Sequence, residues 1–282
     1  MKILERQFIA MSILILSFQN NGLNAQSLTK VWETSGFNIP ESVLMSTDHS
    51  ILYVANINGN PTEKDSNGFI SILGLDGKMI THKWVEGLHA PKGMGIYKEN
   101  LYVADIDRIV EINIKSGNIE KFIPVKGAQF LNDIAVTHEG TIFISDSKSS
   151  KYYKLKNGKV NEHIFDNSFK FPNGLCVENE KILAGTGDRI ISFSERDIVW
   201  KDFMLETGSV DGLSIVDEGI YIFSHWEGKV FLAYKDQDKE LILDTSADKI
   251  NAADIYYNAE SMLLYVPTFH HNTVSCYKLS LK

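Results

Sequence analysis

Apolar and polar positions alternate with a period of two along most of this chain, in short runs such as Ile51-Leu52-Tyr53-Val54 and Thr141-Ile142-Phe143-Ile144. Polar turns separate the runs: Leu75-Asp76-Gly77-Lys78, Thr137-His138-Glu139-Gly140, Lys156-Asn157-Gly158-Lys159 and Val216-Asp217-Glu218-Gly219. Alternation over four to eight residues, closed by such turns, predicts strands joined in hairpins. No convincing amphipathic helix interrupts the pattern.

The pattern repeats. Six segments share one form, a marked residue followed by an alternating run, a turn and a second run. They begin at Pro40 (PESVLMSTDHSILYVAN), Pro91 (PKGMGIYKENLYVAD), Leu131 (LNDIAVTHEGTIFISD), Pro172 (PNGLCVENEKILAGT), Val210 (VDGLSIVDEGIYIFSH) and Ala252 (AADIYYNAESMLLYVPTF). Their second residues are Glu41, Lys92, Asn132, Asn173, Asp211 and Ala253, spaced 51, 40, 41, 38 and 42 residues apart. The long first interval holds a polar insertion, Asn58–Asn67 (NGNPTEKDSN). Four strands in roughly 40 residues is the period of a propeller blade. The expected fold is therefore all-β, a six-bladed β-propeller over residues 26–282. The sixth unit lacks one strand, which Leu28–Trp32 would supply, closing the ring without a free edge.

Residues 1–25 read differently. Two positive charges precede Phe8–Phe18 (FIAMSILILSF), and a polar stretch ends at Asn24-Ala25-Gln26. An apolar run this short does not span ~30 Å of hydrocarbon. It predicts a secretory signal peptide cleaved after Ala25, and hence a periplasmic or secreted protein with no membrane span in the mature chain. Cys176 and Cys276 are both in strand-like runs, and neither a bridge nor two buried thiols is favoured by their spacing. A net charge of −8 argues against nucleic acid or an anionic membrane as the main partner.

In a propeller the first strand of each blade lines a central channel. The six aligned residues would therefore face one another across the axis. Five of the six are polar or charged, where a packed core would ask for Val, Ile or Gly. Glu41 and Asp211 would repel unless a cation stood between them. With the amide oxygens of Asn132 and Asn173 they make an all-oxygen set for one hard divalent cation, Ca²⁺ first and Mg²⁺ or Mn²⁺ next. Zn²⁺ is a further alternative, although no imidazole or thiolate occupies the ring. The same residues also permit a hydrated polar channel in which Lys92 pairs with Glu41 or Asp211.

The segments Leu131-Asn132-Asp133-Ile134-Ala135-Val136, Phe171-Pro172-Asn173-Gly174-Leu175, Val210-Asp211-Gly212-Leu213 and Pro40-Glu41-Ser42 resemble the N-D-x-A-V, P-N-G-L, D-G-L and E-G-P segments of the senescence marker protein/gluconolactonase-like family. That family is related in fold to paraoxonases and diisopropylfluorophosphatase. The resemblance covers Leu28–Leu281. It implies that Glu41, Asn173 and Asp211 are direct metal ligands, and that Asn132 contacts the metal, its water or the substrate. It implies a metal-dependent hydrolase of a lactone or related ester, with Asp211 as base or nucleophile. Lys92 is a candidate to stabilise negative charge, and Asp133 to orient a ligand. Two departures bear on sugar-lactone specificity more than on fold: Glu41-Ser42-Val43-Leu44-Met45 lacks the Pro and Trp of E-x-P-x-W, and Phe130 stands near a substrate-binding Arg of the sugar lactonases. A non-catalytic propeller with a structural metal is the alternative. His225 and His270-His271 end second strands of their blades and are expected on the face opposite the ring. Asn56, Asp105 and Asp146 at the same strand ends are expected to cap turns.

Overall fold

The computed structural model describes residues 26–163, 169–196 and 199–281. The expected signal peptide, residues 1–25, lies outside the described residues. Six four-stranded antiparallel sheets follow one another along the chain. Their first strands are Pro40–Met45, Pro91–Tyr97, Leu131–Val136, Leu175–Glu178, Leu213–Asp217 and Tyr256–Asn258. Each first strand contacts the first strands of the preceding and following blades, and the sixth contacts the first. That closed cycle is a ring about an axis, the six-bladed propeller the repeat predicts.

Closure is made as the sequence suggests. Strand Ser27–Ser35 pairs antiparallel with Thr273–Ser280, with Leu28 opposite Leu279, and becomes the outer strand of the sixth blade. Between blades, apolar side chains from facing sheets interlock. Leu101, Val103 and Val110 of the second blade pack with Tyr53, Ala55 and Ile70 of the first, all nearly fully buried. The same arrangement recurs around the ring, so each blade buries a face only by having neighbours.

At the axis the first strands come too close for side chains at some positions. A Cβ on Gly93 would stand 2.3 Å from Asp133 Oδ1, and one on Gly212 2.3 Å from the Ile255 backbone nitrogen. The glycines that follow Lys92 and Asp211 are thus required by strand-to-strand contact at the channel. Among the described residues, no helix is long and apolar enough to cross a membrane.

Candidate functional site

The hairpin register decides which residues share a face. Pro40 pairs with Asn56, Pro91 with Asp105, and Leu131 with Asp146. In the next two blades the Asn173 N–H donates to the Gly185 carbonyl and the Asp211 N–H to the Ser224 carbonyl. The Ala253 N–H donates to the Pro267 carbonyl in the sixth. The beginning of each first strand therefore lies beside the end of its second strand. In the first three blades the register shifts just there, between Pro40 and Ser42, Pro91 and Met94, and Leu131 and Ile134. These bulges fall on Glu41, Lys92 and Asn132 and re-aim their side chains relative to a regular pleat.

This register corrects the expected position of the histidines. His225 ends Ile220–His225 and His270-His271 follow Leu263–Pro267, so all three stand on the same face as the ring. An antiparallel hairpin returns the second strand to the level where the first began. His225 is nevertheless wedged in the blade. Its ring lies 4.7 Å from that of Phe231, its Nε2 donates to the Thr207 carbonyl at 2.8 Å, and burial holds its pKa below the ordinary value. His270 and His271 are exposed.

The strand-end residues cap turns as expected, and on the ring face. Asp105 accepts the N–H groups of His89 and Ala90 at 2.9 and 2.8 Å and the Arg108 Nε at 2.8 Å. Asp146 accepts those of Gln129 and Phe130 at 2.7 and 3.1 Å. Asn56 Oδ1 accepts that of Asn38 at 3.0 Å. Each fixes the segment that leads into the ring residue of its own blade.

At the ring itself, Glu41 is buried, 6% exposed, and its Oε2 has no hydrogen-bond partner. Burial, and then the negative charge of Asp211, push its pKa well above the usual carboxylate range, with Lys92 opposing. Asp211 accepts a hydrogen bond on Oδ1 from Asn173 Nδ2. It is half-buried, and desolvation lifts its pKa to about 7 against the Asn173 hydrogen bond, Glu227 adding to the rise. Asn132 Nδ2 donates to Ser147 Oγ at 2.9 Å, and the Ser147 hydroxyl donates to the Pro172 carbonyl at 2.7 Å. With its nitrogen so engaged, Asn132 keeps Oδ1 as a neutral oxygen at the ring. Glu41 and Asp211, with the oxygens of Asn132 and Asn173, are the groups that could hold a hard cation. Among the described residues, no three His, Cys, Asp or Glu side chains gather as a metal cluster. Such a site therefore depends on the amides as well as the acids.

Lys92 is fully buried, but its ammonium is not turned to an acid. Nζ donates to the carbonyl of Ala90 at 2.9 Å and to that of Pro61, in the insertion, at 3.2 Å. It also stands 4.3 Å above the Phe130 ring, a cation–π contact. Burial lowers its pKa to about 8, with Glu41 and Asp105 opposing.

Two further carboxylates lie one residue deeper. Asp133 accepts the backbone N–H of Leu175 in the next blade at 2.5 Å and that of Ile134 at 2.6 Å, and burial still raises its pKa to about 7. Asp133 thus ties the third blade to the fourth beside Asn132. Asp254 accepts the Ser42 hydroxyl at 2.7 Å and sits well above the usual carboxylate range through burial and the charges of Asp133 and Glu41. The sequence pattern overlooked Asp254 because the aligned residue before it is Ala253. Its equivalence with Asp133, one place beyond the ring in both blades, was the signal.

No family model matches the chain. Among curated proteins, human Teneurin-4 is 27% identical over 105 residues, which is 34% of this chain. The chain spans 3% of the length of that relative. A gluconolactonase from Xanthomonas campestris superposes with a TM-score of 0.69 at 14% identity, covering 92% of this chain and 91% of that one. A putative gluconolactonase gives 0.68 at 15%, covering 92% and 94%. Virginiamycin B lyase from Staphylococcus aureus gives 0.63 at 14%, covering 91% and 90%. At these identities the likeness is one of architecture. The chain is a six-bladed propeller that shares its β-propeller architecture with the gluconolactonase-like and virginiamycin B lyase structures.

Proposed function

We propose that this protein is an exported hydrolase that opens a lactone or related ester over a divalent cation held by Glu41, Asn132, Asn173 and Asp211. The observation that carries the proposal is the buried Glu41 carboxylate, whose Oε2 lacks any partner while Asp211 repels it. A buried carboxylate of this kind is costly unless a cation or proton neutralises it. An all-oxygen set of two acids and two amides suits a hard ion, Ca²⁺ foremost. Bound there, such an ion polarises the substrate carbonyl and offsets charge on its oxygen.

The chain's own groups do the rest. Water adds to the carbonyl carbon, and Asp211 accepts the proton that water releases. The ring C–O bond then breaks, and the leaving alkoxide oxygen takes the proton from Asp211, giving the hydroxy acid and restoring the carboxylate. Asn173 holds Asp211 in one orientation, and Asn132, braced by Ser147, orients what lies beside it. Lys92 contributes a positive field at the rim, fixed by two carbonyl oxygens.

Protein purified without chelator is analysed for divalent ions, then assayed on a lactone and ester panel with and without EDTA, alongside Asp211→Ala. Chelator-sensitive turnover that Asp211→Ala abolishes is expected. Bound metal with no turnover across the panel would leave a scaffold propeller instead. Absence of any divalent ion from active protein would remove the cation from the mechanism.

A further inference from the structure

The ring face is chemically lopsided. The third, fourth and fifth blades bring Asn132, Asn173 and Asp211 to the axis. In the sector of the sixth, first and second blades the charged ring residues Glu41 and Lys92 stand beside an apolar cluster. There Ala253 takes the ring position and forms one buried cluster with Ile57, Ala90, Ile106 and Phe269, against which Ile39 packs.

The backbone is bent to build this sector. Ile39, Ile106 and Phe269 have φ of 53°, 60° and 47°. Branched and aromatic residues occupy that left-handed region only where their surroundings impose it, and such residues concentrate at ligand-holding sites.

Trp226 carries the apolar sector out to solvent. Its ring meets Phe269 edge-on, with centroids 5.5 Å apart and planes at 77°, and meets His270 at 5.8 Å. It is nonetheless 43% exposed. Asn251 Nδ2 donates to its carbonyl at 2.9 Å and fixes its loop. Trp226 follows Ser224 by two residues, and the Ser224 carbonyl is the partner of the Asp211 N–H. The Trp226 backbone is therefore within about 7 Å of chain from the level of Asp211, at the ~3.3 Å rise of a strand residue.

The geometry points to Trp226, backed by Phe269, as a wall that takes an alkyl or aryl substituent of the substrate while the scissile carbonyl lies over Asp211. This inference rests on the proposed lactone hydrolysis and names its substrate class: lactones or esters with an apolar side chain, in preference to polyhydroxylated sugar lactones. A sugar's hydroxyls would lose water against the exposed Trp226 indole and find no partner on its ring face.

Binding is measured by calorimetry on the full protein with Ca²⁺, using δ-lactams bearing methyl, butyl or octyl groups, and gluconolactam. These analogues resist hydrolysis, so binding is read apart from turnover. Affinity is expected to rise about four-fold per buried methylene, as transfer of CH₂ from water dictates. Trp226 emission should shift with the octyl compound. Trp226→Ala should flatten the series and abolish the shift, and Trp226→Phe should keep most of the slope. The wall is overturned if affinity ignores chain length, if gluconolactam binds more tightly than the octyl lactam, or if correctly melting Trp226→Ala keeps the slope. Graded binding without turnover would overturn the hydrolase and leave the wall; turnover without grading would overturn the wall alone.

Discussion

Asn173 donates its side-chain amide to the Asp211 carboxylate, joining the ring residues of the fourth and fifth blades. A hydrogen bond to a charged group contributes about 1.5–3 kcal/mol, and loss of a group that orients a ligand typically costs 10–100-fold in metal affinity or activity. Asn173→Ala is expected to lower both Ca²⁺ affinity and kcat/KM within that range. Calorimetric titration and the lactone assay check it, and an unchanged value in both would remove Asn173 from the site.

Acidity should stabilise the metal-free protein. The carboxyl of Asp133 has a folded pKa of about 7 against an ordinary 3.8. Between those values the folded chain binds a proton that the unfolded chain has released, so stability falls as pH rises through the window. The full penalty is present above about 7. Urea unfolding in EDTA should give a higher midpoint at acid pH than at neutral pH. Asp133→Asn should lessen that slope, Glu41, Asp211 and Asp254 supplying the remainder, and a slope of opposite sign would contradict the raised folded-state pKa values.

Removing the charge of Lys92 should strengthen cation binding. Lys92→Met keeps most of the buried alkyl stem while deleting an ammonium whose field reaches Glu41. Ca²⁺ affinity is expected to rise about ten-fold, equivalent to about 1.4 kcal/mol. The same variant loses the bond to Pro61 and should expose the Asn58–Asn67 insertion to faster protease cleavage. Titration and limited proteolysis read the two effects separately.

Gly212→Ala should destabilise the fold by about 1–3 kcal/mol, the usual cost of forcing a methyl group into a packed site. The new Cβ would sit 2.3 Å from the Ile255 nitrogen, and backbone cannot yield as a flexible side chain can. The urea midpoint measures it. Gly158→Ala has open space around the new Cβ but a φ of +73°, so its smaller cost should come from backbone strain alone.

Much of this architecture was legible because a repeat converts sequence distance into angular position. Aligning Glu41, Lys92, Asn132, Asn173, Asp211 and Ala253 placed six residues on one rim, and the missing strand of the sixth unit pointed to Leu28–Trp32. What escaped was relational. The same-face position of His225 and His270 follows from antiparallel return of the chain, which a single-strand pattern does not express. Asp254 hid behind an alanine. The direction of Lys92 depended on carbonyl oxygens of Ala90 and Pro61, groups that every residue carries and no side-chain pattern marks. The apolar sector arises from Ile57, Ala90, Ile106, Ala253 and Phe269, which belong to three different blades.

The pairing of Leu28 with Leu279 has a consequence in time as well as space. The strand that seals the sixth blade is among the first described parts of the chain to be synthesised, and its partner among the last. Contacts of such separation are slow to form, since the chain between must first be gathered in. The other five sheets are each built from one continuous stretch of chain, whereas the sixth is complete only when that antiparallel seam is made. Across the junction of the sixth and first blades the Asp254 N–H donates to the Glu41 carbonyl, so this contact too joins distant parts of the chain. The carboxylates of Glu41 and Asp254 are therefore neighbours only in the closed ring, whose closure must outweigh their repulsion.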